Sequence, residues 1–307
     1  MFQKNQPRFG KIRHPRYSVF LPLSPAGIPA SEQPSAASLY LDLLKQVLTR
    51  TLAPETLRPA LMDPAVRANP LHRALHALLR PLAAACGYAL ARPYRPEHRA
   101  EGRDWPVNAE TMVGLLRLQN LQDCLTDVLK KGVPGDVIET GVWRGGASIF
   151  MRAVLQAYGD RERIVWVADS FEGLPRPDAR YPQDDGDRFW TYSDVLAVPL
   201  EKVQDHFRAY NLLDEQVRFL PGWFRDTLPA APFTRFALIR LDGDMYSSTM
   251  DSLQHLYPKL SSGGYAIIDD YYSVPVCRRA VDDYRASHGI SEPIQRIDWS
   301  GAFWMKH

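Results

Sequence analysis

Apolar residues recur along this chain in two rhythms, and the change between them comes near residue 108. In "SLYLDLLKQVLTRTL" (38–52), Leu39, Leu43, Val47 and Leu48 return at helical spacing and predict one apolar helix face. "PLHRALHALLRPLAAACGYAL" (70–90) continues the helical tendency. The Pro- and Arg-rich "ARPYRPEHRAEGRDWP" (91–106) then reads as a linker. From Asn108, a helix N-cap by residue type, Met112, Leu115, Leu116, Leu121, Leu125 and Val128 predict a longer helix, closed by Lys130, Lys131 and Gly132. Short apolar runs and helical stretches alternate after it. "DVIET" (136–140), "RIVWVAD" (163–169), "VRFLPG" (217–222), "FALIRLD" (236–242) and "YAIIDD" (265–270) are the strand candidates, and a helix is expected over 147–158. Apolar strands joined by helices predict an α/β fold with a doubly wound, mostly parallel sheet.

Three segments follow: a Pro/Ser/Ala-rich flexible extension over 1–37, a helical region with linker over 38–107, and the main domain over 108–307. Hydrophobic content of 45% is that of a chain with a real core. A net charge of +2, from 37 basic and 35 acidic residues, gives no field for nucleic acid or an anionic membrane. No apolar run approaches the ~18 residues that span a bilayer, and the N-terminus lacks the apolar stretch of a secretion signal. Cys86, Cys124 and Cys277 stand far apart, which argues against disulfide scaffolding and structural zinc and for a cytoplasmic protein. The helical 38–92 region has few partners in the main domain, so a homodimer or larger homo-oligomer is expected.

In doubly wound sheets, ligands bind beyond the carboxyl ends of the strands. The chemically loaded residues cluster at those ends. "VIETGVWRGG" carries Glu139 with Gly141, Gly145 and Gly146, a G-x-x-x-G-G spacing unlike the dinucleotide fingerprint. An acid two residues before the first glycine would repel a pyrophosphate and suits a cationic amine. Asp169, ending "VWVAD", can accept both hydroxyls of a ribose or simply cap its turn. Together Glu139 and Asp169 favour an adenosyl group joined to an amino acid, which is S-adenosylmethionine. Trp223 or Phe224 of "PGWF" either packs on the adenine or belongs to the core. The last two strands end on Asp242/Asp244 and Asp269/Asp270. Carboxylates crowded together repel, and a hard cation such as Mg²⁺ or Mn²⁺ relieves that better than a solvated turn explains two such pairs. A metal beside a methyl donor can activate a substrate hydroxyl, with one carboxylate taking its proton.

"TMVGLLRLQNLQ", "PGDVIETGVWRGGASIFMRAVL", "VWVADSFEGLP", "PGWFRDTLP", "LDGDMYSST" and "GGYAIIDDY" resemble, in that order, the successive blocks of the macrocin O-methyltransferase (TylF-type) family, over about 39–306. The resemblance implies a class I S-adenosylmethionine methyltransferase (Rossmann-like) fold with a helical lid. It also implies a Mg²⁺-dependent O-methyltransferase acting on a sugar hydroxyl of a glycosylated small molecule. By position, Glu139, Gly141 and Gly145 fall in the donor loop and Asp169 at the ribose, with Ser170, Gly222 and Trp223 completing the donor blocks. Thr111 and Met112, in the helix before the first strand, would close over the donor. Asp242, which also borders the donor, matches the metal ligands together with Asp269 and Asp270. Asp242 or Asp244 is the catalytic base. The segment 172–200 is expected to act as a lid, with Asp184, Asp185 and Asp187 near substrate or simply exposed. A catechol or other vicinal-diol acceptor is the enzymatic alternative. A non-catalytic binding module is disfavoured by the intact acid cluster, and a dehydrogenase by the glycine spacing.

Overall fold

The computed structural model describes residues 34–60, 66, 67 and 69–307. The extension expected over 1–37 falls, up to residue 33, outside the described residues. Helix α1 (Ala36–Leu48) packs through Leu41, Leu44, Lys45 and Leu48. The predicted face is therefore largely the wrong one: Leu39 and Leu43 are 56% and 51% exposed. Leucines wrap most of this helix, so periodicity alone does not choose its contact face. Lys45 helps decide it, through an ion pair with Asp42 at 2.8 Å and a hydrogen bond to Gln119 on a neighbouring helix.

Strands β1 (Leu57–Pro59) and β2 (Ala91–Pro93) pair as an antiparallel ribbon. Between them lies helix α2 (Pro70–Ala85), which buries none of its residues. The segment read as a linker is packed instead. It forms helix α3 (Pro96–Glu101), and its Arg99 and Asp104 are buried as an ion pair at 3.1 Å. Arg99 is there for internal charge pairing, while Arg95 and Arg103 remain exposed.

Helix α4 (Leu115–Lys130) begins six residues later than expected, with Gly114 at its N-cap in place of Asn108. Asn108 instead donates its side-chain amide to Glu55, and the Thr111 hydroxyl accepts the Val113 N–H at 3.0 Å. Such local turns compete with helix at Asn and Thr. Thr111 and Met112 consequently sit in an irregular segment, not in a helix.

The main sheet then follows the expected alternation: β3 (Asp136–Thr140), α5 (Gly146–Ala157), β4 (Val165–Asp169), α6 (Leu200–Ala209), β5 (Val217–Pro221), β6 (Phe236–Leu241), α7 (Tyr246–Leu256), β7 (Leu260–Ile268), α8 (Pro275–Ser287), β8 (Gln295–Arg296) and β9 (Ala302–Met305). Its order is β5-β4-β3-β6-β7-β9-β8. β3 to β7 run parallel, while β9 enters antiparallel between β7 and β8. Strand order reverses between β3 and β6, which opens a crevice at their carboxyl ends. One apolar cluster joins the sheet to α1, α4 and α5, and a second joins it to α7 and α8. β6 is buried at all six positions between them.

Candidate active site

A cavity of about 510 Å³ occupies that crevice. Thr111, Met112, Glu139, Gly141, Asp169, Ser170 and Trp223 line it, as do Asp242, Asp244, Asp269 and Asp270. Gly145 and Gly222 do not border it. Gly145 caps α5, and the Gly222 N–H bonds the Asp169 carbonyl at 2.9 Å. Gly141, at φ +84°, has a reason of its own. A Cβ there would lie 2.7 Å from the carbonyl carbon of Asp242 and closer still to its oxygen. Glycine at this position thus lets β3 and β6 leave the sheet side by side, and so fixes where Asp242 stands.

Ligand oxygens of Asp242, Asp269 and Asp270 all lie within 4.8 Å of one another. The acids are not left to themselves. Arg240, the one charged residue of β6, donates to Glu139 and Asp269 and, at 2.8 Å, to Asp242. Arg117 from α4 donates to the second oxygen of Asp269 and, at 3.1 Å, to Asp298. The Ser300 hydroxyl donates to the Asp269 carbonyl at 2.7 Å, and the Ser273 hydroxyl to Asp270 at 3.1 Å. Arg117, Arg240, Asp298 and Ser300 are site residues that motif reading overlooked. The signal for Arg240 was a single cation inside the apolar run "FALIRL", which a buried parallel strand admits only with partners.

Burial and mutual repulsion govern the acids. Burial, with Asp269 adding to it, pushes Asp242 up to about 6 against the pull of Arg240. Asp244, at a left-handed φ of 55° and hydrogen-bonded to Asp270, is pushed up to about 8 by burial and then by Asp242. Burial followed by Asp244 raises Asp270 as well. Six carboxylates (Glu139, Asp242, Asp244, Asp269, Asp270 and Asp298) thus face two guanidinium groups. That surplus of negative charge, in an all-oxygen donor set, fits a hard divalent cation at Asp242, Asp269 and Asp270.

At the end of the neighbouring strand β3, Glu139 has both oxygens engaged, one by Arg240 and one by the Ser148 hydroxyl. Burial lifts it to about 7, with Arg240 opposing. Asp169 accepts the Val142 and Phe171 N–H groups, each at 2.7 Å, and so ties the turn after β3 to the exit of β4. Its pKa is raised by burial, against those hydrogen bonds. Asp169 is therefore a turn-organising residue that also borders the cavity. Ser170 donates to the Gly173 carbonyl at 2.7 Å. In the 172–200 segment the acids part company. Asp184 is buried and accepts the Tyr246 and Ser247 N–H groups, at 2.8 and 2.9 Å, capping α7 from outside the helix. Asp185 is exposed, and Asp187 is half-buried near Asp244.

This arrangement has known counterparts. The family model of the macrocin O-methyltransferases (TylF) matches residues 37–306. The chain belongs to that family. Like the family's members, it is an S-adenosylmethionine-dependent O-methyltransferase. It is 52% identical, over 88% of its length and 93% of the relative's, to the 8-demethyl-8-(2,3-dimethoxy-alpha-L-rhamnosyl)-tetracenomycin-C 4'-O-methyltransferase of Streptomyces olivaceus. It is 49% identical to the demethyldecarbamoylnovobiocin O-methyltransferase of Streptomyces niveus, over 90% of this chain and 97% of that one. The solved structure of the O-methyltransferase NovP superposes with a TM-score of 0.74 at 47% identity, covering 88% of this chain and 99% of that one. The α/β sheet of this macrocin O-methyltransferase family member is that of a Rossmann-like methyltransferase. Among its described residues no helix is long and apolar enough to cross a membrane.

Proposed function

We propose that this enzyme methylates a sugar hydroxyl of a glycosylated natural product in antibiotic biosynthesis, with Mg²⁺ or Mn²⁺ held by Asp242, Asp269 and Asp270. The observation that carries the reading is the convergence of those three carboxylates in the same cavity as Glu139 and Asp169. The acceptor class rests on the relatives, of which the Streptomyces olivaceus enzyme is named for a rhamnosyl tetracenomycin.

The donor half of the cleft comprises Thr111, Met112, Glu139, Gly141, Asp169, Ser170 and Trp223, with Gly145 and Gly222 supporting the turns behind it. Glu139 faces the donor's ammonium, and Asp169 its ribose. A bound divalent cation supplies Lewis acidity that lowers the pKa of an acceptor hydroxyl. Asp242 orients that hydroxyl. Asp242 or Asp244 receives its proton. Segment 172–200, pinned through Asp184, shields the reaction from water.

Chelation tests the metal. EDTA should abolish methyl transfer to a glycosylated acceptor while S-adenosylhomocysteine still binds in calorimetry, and Mg²⁺ should restore turnover. Transfer that survives full chelation would sink the assignment. Asp242→Asn should lose at least about a hundred-fold in kcat with donor affinity nearly intact. If it fails to fold instead, Asp242 is structural.

The enzyme also works as a homodimer in this reading. Helix α2 buries nothing, and Leu71, Leu75, Leu78 and Leu82 form one exposed stripe along it. Leu78→Asp should shift the molar mass measured by light scattering from dimer to monomer; a wild-type monomer at micromolar concentration contradicts the idea.

A further inference from the structure

Arg240 is 2% exposed and lies in the middle of the sheet, directly opposite Glu139 of β3 in the strand register. Its guanidinium reaches carboxylates at the ends of three adjacent strands: Glu139 of β3, Asp242 after β6 and Asp269 after β7. One of the three stands on the donor side of the cleft, and the other two belong to the carboxylate cluster. A planar fork fixes several acids at set angles and distances, which an ammonium on a flexible stem does not. Each carboxylate oxygen has two lone pairs, so an oxygen that accepts from Arg240 can still offer the other to a cation.

We propose that Arg240 is a positioning residue that locks Glu139, Asp242 and Asp269 into one rigid unit, so that a single side chain sets both the donor end and the cation end of the cleft. This rests on the metal assignment of the preceding section. Arg117 provides the contrast: it reaches Asp269, Asp298 and the Gly102 carbonyl but not Glu139. Its loss should disturb the cation end alone.

The test is binding, not turnover. S-adenosylhomocysteine affinity is measured by calorimetry and Mn²⁺ affinity by electron paramagnetic resonance, on wild type, Arg240→Lys and Arg117→Lys, each first checked for a cooperative melt. Arg240→Lys keeps the charge and loses the fork. It should weaken Mn²⁺ binding about 10- to 100-fold, as loss of a group orienting metal ligands does, and weaken S-adenosylhomocysteine binding several-fold. Arg117→Lys should weaken Mn²⁺ binding and leave S-adenosylhomocysteine affinity unchanged. A merely structural Arg240 would lower the melting temperature and move neither affinity. Should Arg240→Lys not fold, Glu139→Asp draws one acid back without changing charge, and it should lower both affinities. Folded variants that bind both ligands like wild type, or that lose only one of them, overturn the proposal. A wild type that takes up no Mn²⁺ sinks the metal assignment instead, and the two failures are thereby distinct.

Discussion

Replacing Gly141 by alanine measures what the turn after β3 contributes. At φ +84° an L-residue costs about 1–2 kcal/mol. The new methyl would stand 2.7 Å from the Asp242 carbonyl carbon, whereas carbon contacts settle at about 3.5–4.0 Å. The exits of β3 and β6 must therefore part by about 1 Å or more. That strains the Asp242 N–H to Thr140 bond at 2.8 Å and the Gly141 N–H to Ala168 bond at 2.9 Å, each worth about 1 kcal/mol. The sum is about 3–4 kcal/mol of stability. A displacement of this size at Asp242 should also cost about a hundred-fold in turnover. Gly159→Ala is the control, because Gly159 has a similar φ of +73° and nothing within 4 Å of its added methyl. It should lose only the backbone cost, about 1–2 kcal/mol, and keep full activity. Urea unfolding of both variants and initial rates of methyl transfer decide the matter. Equal destabilisation of the two, with Gly141→Ala turning over normally, refutes the reasoning.

Asp244, near 8, and Asp270, also raised, hold protons in the cation-free fold that the unfolded chain releases near 4. The folded state binds more protons across that window, so stability in EDTA should fall as pH climbs from about 4 to 8. Mg²⁺ should raise the melting temperature more at pH 8 than at pH 6, read by differential scanning fluorimetry; a pH-independent increment speaks against the shared site. Asp184→Ala removes the cap on α7 and should cost about 1–2 kcal/mol while raising the acceptor KM. Asp184→Asn, which keeps one of the two acceptor oxygens, should lose less. Identical melts and KM values for Asp184→Ala and wild type would show that the segment is held by other contacts.

The strands were legible because each is a short apolar run ending on a marked residue, and the sheet's parallel core follows from their alternation with helices. The grouping of Asp242, Asp269 and Asp270 was legible for the same reason: strands of one parallel sheet end at one edge. The partners of Arg117 and Arg240 were hidden because they lie in other elements; the apolar run around Arg240 marked it as buried, whereas nothing in the amphipathic helix around Arg117 did so. Helix α4 started late because Asn108 and Thr111 found side-chain and turn partners that no helix pattern encodes. In α1 the contact face was lost among leucines on nearly every side. Asp184 looked like part of an acidic loop until α7 supplied two N–H groups for it.

The chain distances across the site have a consequence for how the molecule comes into being. Arg240 and Glu139 are 101 positions apart, Arg117 and Asp269 152, and Arg117 and Asp298 181. Contacts that close loops of this size are favourable only once the intervening chain is already ordered. The β3–β6 pairing that sets Glu139 opposite Arg240 closes the same loop, so the site comes into being together with the centre of the sheet and not before it. A partly folded chain is then not a feeble methyltransferase but none at all, and any selection for activity acts on the whole topology at once.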